Sequence, residues 1–208
     1  YAASDAESFS NVIKKVSRKM LNIDNKEHVF LYSLLAKVGS TKWPTKLEIK
    51  NTFLEIAKQA KSDDIFVFFF AGHGVISSIN KKFYFLTAEA SNAEIEGIEN
   101  NIAISSAELD VWTKEIKAAK QILVFDACNT GKGVNEMEKL IAARELPSQQ
   151  IKILERLKER SGCYILAASA ENQSAYESTT LGHGLLTFSL LQTIKDGTAR
   201  SEEHTSEL

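Results

Sequence analysis

Two side chains in this sequence combine reactive chemistry with a setting suited to it. Cys128 lies in Asp126-Ala127-Cys128-Asn129-Thr130-Gly131, directly after the apolar run Ile122-Leu123-Val124-Phe125. His73 lies in Ala71-Gly72-His73-Gly74, directly after the apolar run from Ile65 to Phe70. A free thiol titrates near pH ~8.5, so a nucleophilic cysteine needs a base to become thiolate at neutral pH. An imidazole is such a base, and it can hand the proton on to a leaving group. Flanking glycines remove side-chain bulk and let a substrate backbone approach. Other candidates have weaker settings. Cys163 is a lone cysteine at a strand end without a glycine-rich exit or a polar neighbour cluster, which is the ordinary habit of a small buried hydrophobe. His183, in Gly182-His183-Gly184, precedes a helical pattern instead of ending a strand, so capping or packing is its expected role. His28 has no motif around it.

The elements that would position the pair follow from hydrophobic pattern. Ile65–Ala71, Ile122–Phe125 and Tyr164–Ala168 are short, almost continuously apolar runs, which suit central strands of a parallel sheet covered on both faces. Val29–Tyr32 is a further strand candidate. Thr45-Lys46-Leu47-Glu48 and Ser105-Ser106-Ala107-Glu108 have the Ser/Thr-x-x-Glu form of a capping box. The first opens a helix with Leu47, Phe53, Leu54 and Ala57 on one face; the second opens one carrying Leu109, Trp112 and Ile116. Ile151, Leu154 and Leu157 mark a third helix, and Leu186, Leu190, Leu191 and Ile194 a fourth. Val75-Ile76 and Phe83–Leu86 flank a polar stretch, as in a small hairpin. Strands alternating with helices predict an α/β fold with a largely parallel sheet. Functional groups in such sheets gather at the carboxyl ends of the strands, where both His73 and Cys128 fall.

Composition bounds the alternatives. The 208 residues suffice for one domain with a sizeable core, and their formal net charge of −2 argues against broad capture of nucleic acid or anionic membrane. No apolar run approaches the ~20 residues of a membrane-spanning helix. Two cysteines are too few for a disulfide framework, so a reducing cytoplasm is the expected location. The acidic stretch from Ala88 to Asn101 is expected to be a solvated loop. It lacks the spaced ligands of a calcium loop, so no cofactor or metal is expected and calcium is not indicated. The segment from 200 to 208 resembles a translated sequencing adapter, which places the native domain at residues 1–199 and excludes His204 from any site.

Four motifs in order resemble the caspase-like cysteine peptidases, in particular bacterial caspases, metacaspases and paracaspases. They are Phe68–Gly74, Val124–Gly131, Leu166–Ser169 followed by Ala175-Tyr176-Glu177, and Gly182–Phe188 running into Leu190-Leu191. The separation of His73 from Cys128 also agrees with the spacing of about 50 residues found in caspases. The resemblance implies a three-layer sandwich with a mostly parallel central sheet and helices on both faces. It also implies a central strand upstream of Asp5 that these residues do not include. Carried over, Cys128 is the nucleophile and His73 the general acid/base. The backbone N–H groups of Gly74 and Cys128 then form the oxyanion hole of an endopeptidase that works through a thioester.

Specificity follows from the same resemblance. Animal caspases have Gln where this chain has Asp126, and their glycine comes one position before Gly131. Asp126 resembles the pocket acid of metacaspases and paracaspases, Glu177 a second pocket acid of the paracaspases, and Asp5 a third. An anionic pocket implies cleavage after Arg or Lys. The expected partner is a peptide or protein substrate, with self-cleavage near Lys139 or Arg144 in the segment after Cys128. Relatives are often fused to repeat or sensor domains. The competing readings are a catalytically silent signalling scaffold of the same fold, and a Cys-His acyl hydrolase of another substrate class.

Overall fold

The computed structural model describes residues 2–21, 26–92, 94–127, 162–168, 177–178 and 182–205. Its centre is a parallel sheet of β1 (Ile65–Gly72), β5 (Lys120–Ala127) and β6 (Gly162–Ala167), in the order β1-β5-β6. The three apolar runs of the sequence are these three strands. Between β1 and β5 lie β2 (Gly74–Ile76), β3 (Phe83–Leu86) and β4 (Ala103–Ser105), which form a small antiparallel sheet in that order. Val75-Ile76 and Phe83–Leu86 are therefore the expected hairpin, closed by Ser77 N–H donating to the Lys82 carbonyl at 3.0 Å. A third, two-stranded antiparallel sheet joins β7 (Glu177–Ser178) to β8 (His183–Gly184).

Helices cover both faces of the parallel sheet because strand side chains alternate. On one face Phe66, Phe68, Phe70, Leu123 and Phe125 meet α2 (Lys46–Gln59) and α4 (Ser106–Lys114) through Ile49, Phe53, Leu109 and Trp112. Phe53 is the hinge of this layer, touching the rings of Phe66, Phe68 and Trp112. On the opposite face Phe69 stacks on Phe9 of α1 (Ala2–Leu21), their ring centroids 4.3 Å apart. The closing helix, α5 (Leu185–Thr205), packs beside α1 and carries past Ala199 into the segment read as adapter-derived. The remaining helix, α3 (Glu99–Ile102), is a single turn. The result is the three-layer α/β arrangement expected from the sequence.

Both helix-start signals are used. Thr45 caps α2, its hydroxyl accepting from Glu48 N–H at 3.2 Å. Ser105 and Glu108 form a full reciprocal capping box at α4. Burial of the Glu108 carboxyl would raise its pKa. Hydrogen bonds from Lys46 and from the Ser105 backbone and hydroxyl outweigh that and leave it lowered.

Several expectations need correction. Val29–Tyr32 is not a strand: it joins no ladder among the described residues, and Phe30 is 69% exposed. A strand exists only by pairing, and propensity alone does not supply a partner. Leu47 and Leu54 are exposed, and the buried face of α2 is instead Ile49, Thr52 and Phe53. Both faces of the sheet are not covered throughout, since Ile65 on β1 and Tyr164 and Leu166 on β6 are exposed at its two outer strands. The acidic stretch is fastened as well as solvated. Glu89 accepts from Lys46 N–H at the start of α2, Glu96 binds Ser77 and Ser78 on the hairpin, and Ile95 between them is buried. The third helix expected around Ile151, Leu154 and Leu157 lies outside the described residues, as do Lys139 and Arg144. Among the described residues no helix is long and apolar enough to cross a membrane.

Candidate active site

His73 is the single residue between β1 and β2, where the chain leaves the parallel sheet and enters the antiparallel one. Its carbonyl accepts from Leu86 N–H at 2.9 Å, and its side chain is exposed with no hydrogen-bond partner among the described residues. The glycine before it has a packing reason: a Cβ on Gly72 would lie 3.0 Å from the Phe70 ring. The residue after it, Gly74, is distinguished by where its backbone N–H points. Antiparallel ladders alternate hydrogen-bonded and non-bonded pairs. His73 with Leu86 and Ser77 with Lys82 are bonded pairs, so Gly74 opposite Phe85 is a non-bonded one. Its N–H therefore points away from β3, towards the outer edge of the hairpin. Cys128 lies outside the described residues, and so does its backbone N–H.

The carboxylates are better defined. Asp126, the penultimate residue of β5, is buried on the sheet face shared with α1 and α5. Its Oδ2 accepts from Thr187 N–H at 3.1 Å and from the Thr187 hydroxyl at 2.5 Å, in the first turn of α5. An anion at a helix start is favoured both by unpaired N–H groups and by the helix dipole. Asp5, in the first turn of α1, is also buried. Its Oδ1 lies 2.6 Å from His183 Nδ1, and its Oδ2 accepts from Gly184 N–H at 3.3 Å. An ionised carboxylate only accepts, so in that state the proton between them would come from Nδ1 of His183.

These groups converge on one residue. Asp5 binds the Gly184 N–H, and the Asp126 carboxylate rests against its Cα, where an added Cβ would come within 2.5 Å of Oδ2. The backbone of Glu177 pairs with Gly184 in the β7–β8 ladder, while its side chain lies outside the description. The side chains of Asp5 and Asp126 and the backbone of Glu177 thus meet around Gly184. That convergence could not be read locally, since Asp5 and Gly184 stand at opposite ends of the chain. His183, expected to cap or pack, instead contacts the Asp5 carboxyl, and Thr187, which has no expected role, binds Asp126. The available signal was a histidine and a threonine flanking a helix start within one turn of each other. Among the described residues, no three His, Cys, Asp or Glu side chains gather as metal ligands.

The layered fold agrees with the comparison to known families. The sequence matches the caspase domain over residues 1–208, and the chain belongs to that family, whose type is the cysteine peptidase. Among solved structures, it is similar to a crystal structure of a protein from Geobacter sulfurreducens, with 16% identity and a TM-score of 0.56. The alignment covers 94% of this chain and 72% of the other, a likeness of fold. A search of curated proteins found no match.

Proposed function

We propose that this chain is a cysteine endopeptidase in which Cys128 attacks a peptide carbonyl and His73 moves the proton, with cleavage after Arg or Lys. The observation that carries the reading is the register of β1 against β5. Ala71 pairs with Asp126 and Gly72 with Ala127. The two strands that immediately precede His73 and Cys128 thus end side by side, at the carboxyl edge where such sheets gather their functional groups. Imidazole takes the thiol proton; sulfur attacks the carbonyl carbon; the amine leaves with a proton from the imidazolium, giving a thioester. Water, deprotonated by the same imidazole, then releases the acid and restores the thiol. The Gly74 N–H, turned away from its ladder, suits a donor to the oxyanion, with Cys128 N–H as the second.

Two buried carboxylates, Asp126 and Asp5, support the basic preference, because a guanidinium or ammonium complements them and an aspartate side chain is repelled. Glu177 is the third acid of this reading. The partner it requires is a peptide or protein with an exposed basic residue, and the reaction as written uses no metal or organic cofactor. A reducing compartment suits the free thiol. The test is labelling of Cys128 by a peptide electrophile with Arg at its first position. H73A is expected to abolish labelling, and fluorogenic peptides with Arg or Lys should turn over ahead of Asp. Equal labelling of H73A, or turnover of the Asp peptide first, would refute the reading.

A further inference from the structure

The two carboxylates come from elements far apart in sequence, α1 and β5, yet one short segment holds both. His183 Nδ1 and Gly184 N–H bind Asp5, while the N–H and hydroxyl of Thr187 bind Asp126. Between them Gly184 has no side chain, and the Asp126 carboxylate occupies the space where a Cβ would stand. Residues 183–187 therefore form a bracket that fixes the separation and direction of two buried anions. Left without donors, buried carboxylates would take up protons or turn away from each other. With donors in place the two carboxyl groups are held in one orientation.

The geometry points to His183 and Thr187 as positioning residues for substrate specificity, setting Asp5 and Asp126 to receive one cationic side chain. This rests on the reading of a basic pocket given above and adds the device that builds it. His183 acts through Asp5, with its Nδ1 against that carboxylate. Thr187 acts through Asp126. Neither residue reaches the reacting atoms in this account, so neither is needed for acylation as such.

The experiment compares kcat and KM for two fluorogenic peptides identical except for arginine or citrulline at the first position. Citrulline keeps the shape of arginine and removes its charge. The full chain is tested as wild type, H183L, H183N and T187V, with the rate of Cys128 alkylation by iodoacetamide as an independent readout. Asn places an N–H donor close to where Nδ1 stands; Leu removes it.

In H183L the arginine-over-citrulline preference in kcat/KM is expected to fall roughly tenfold or more, through KM for the arginine peptide. The citrulline peptide, which lacks the charge the two acids would bind, is expected to lose less than the arginine peptide, and iodoacetamide alkylation less still, so the ratio is the readout. H183N restores the preference. An unchanged ratio in H183L overturns the inference while leaving the basic-pocket reading intact. A wild-type enzyme that cuts both peptides equally well refutes that reading, and the inference with it. Should H183L not fold, T187V bears the same prediction, since it deletes only the hydroxyl donated to Asp126. A lower ratio in T187V supports the bracket, and a wild-type ratio refutes it.

Discussion

Replacing Gly184 by alanine tests the convergence of the acids directly. The new Cβ would lie 2.5 Å from Asp126 Oδ2 and 3.0 Å from its Cγ and Oδ1. Backbone conformation is not the obstacle, because Gly184 has no positive φ. The carboxylate must move, and its chain is too short to move without loosening the two bonds from Thr187. Overpacking costs about 1–3 kcal/mol, and each weakened bond to a charged group adds up to about 1.5–3 kcal/mol when fully lost. With partial relaxation, G184A should lose about 2–4 kcal/mol, or roughly 5–15 °C in melting temperature for a chain of this size. Urea unfolding of wild type, G184A, D126A and the double variant closes a cycle. D126A removes the obstructing carboxylate, so alanine at 184 should then cost within about 0.5 kcal/mol, and the coupling should be about 1.5–4 kcal/mol. An equal cost of G184A in both backgrounds would refute contact between Asp126 and Gly184.

Three further outcomes are expected. H73A should lower kcat/KM by about 10²–10⁴-fold without shifting the urea midpoint, because the His73 side chain is exposed and bonds none of the described residues; a shifted midpoint would assign it a structural role. S105A should cost about 1 kcal/mol by removing the hydroxyl that accepts from Glu108 N–H and donates to its carboxylate, with the arginine-over-citrulline ratio unchanged. Glu96 has its carboxyl held below the ordinary 4.5 by the Ser78 hydroxyl and backbone N–H, then by Ser77 and Lys81, against its desolvation. A lowered folded-state pKa means the unfolded chain takes up the proton first, so this stabilisation is complete above pH 4.5 and fades as pH falls through the lower folded value. E96Q should flatten that part of the acid-unfolding curve, and identical wild-type and E96Q curves would contradict it.

The parts of this fold legible in the sequence are those fixed by local pattern. Ile65–Phe70 and Ile122–Phe125 could be read as parallel strands because each is an almost continuous apolar run, although Ile65 stays exposed at the outer strand. Ser105 and Glu108 could be read as a helix start because the cap is complete within four residues. Val29–Tyr32 misled because a strand needs a partner as well as β-branched and aromatic side chains, and no described strand pairs with it. Leu47 and Leu54 misled because two faces of α2 carry leucine or isoleucine, and only the packing against Phe66 and Phe68 decides which is inward. The site divides the same way. His73 stood out because glycines bracket it at a strand end, whereas the pairing of Asp5 with His183 joins residues with no shared local signal.

That long-range pairing bears on how a peptidase of this kind would obtain specificity. Burying Asp5 and Asp126 near one another opposes folding, since each must leave water and each repels the other. The opposing terms are local to residues 183–187: an imidazole N–H, two backbone N–H groups and a hydroxyl, all donated at the start of α5. The work of holding the anions is therefore done when α1, β5 and α5 come together, before any substrate arrives. A cationic side chain entering such a pocket would meet acceptors already oriented and would lose little to reorganisation. Specificity and stability then draw on the same bonds. Changes on the bracket should consequently alter both KM and the unfolding midpoint, whereas changes at His73 should alter turnover alone.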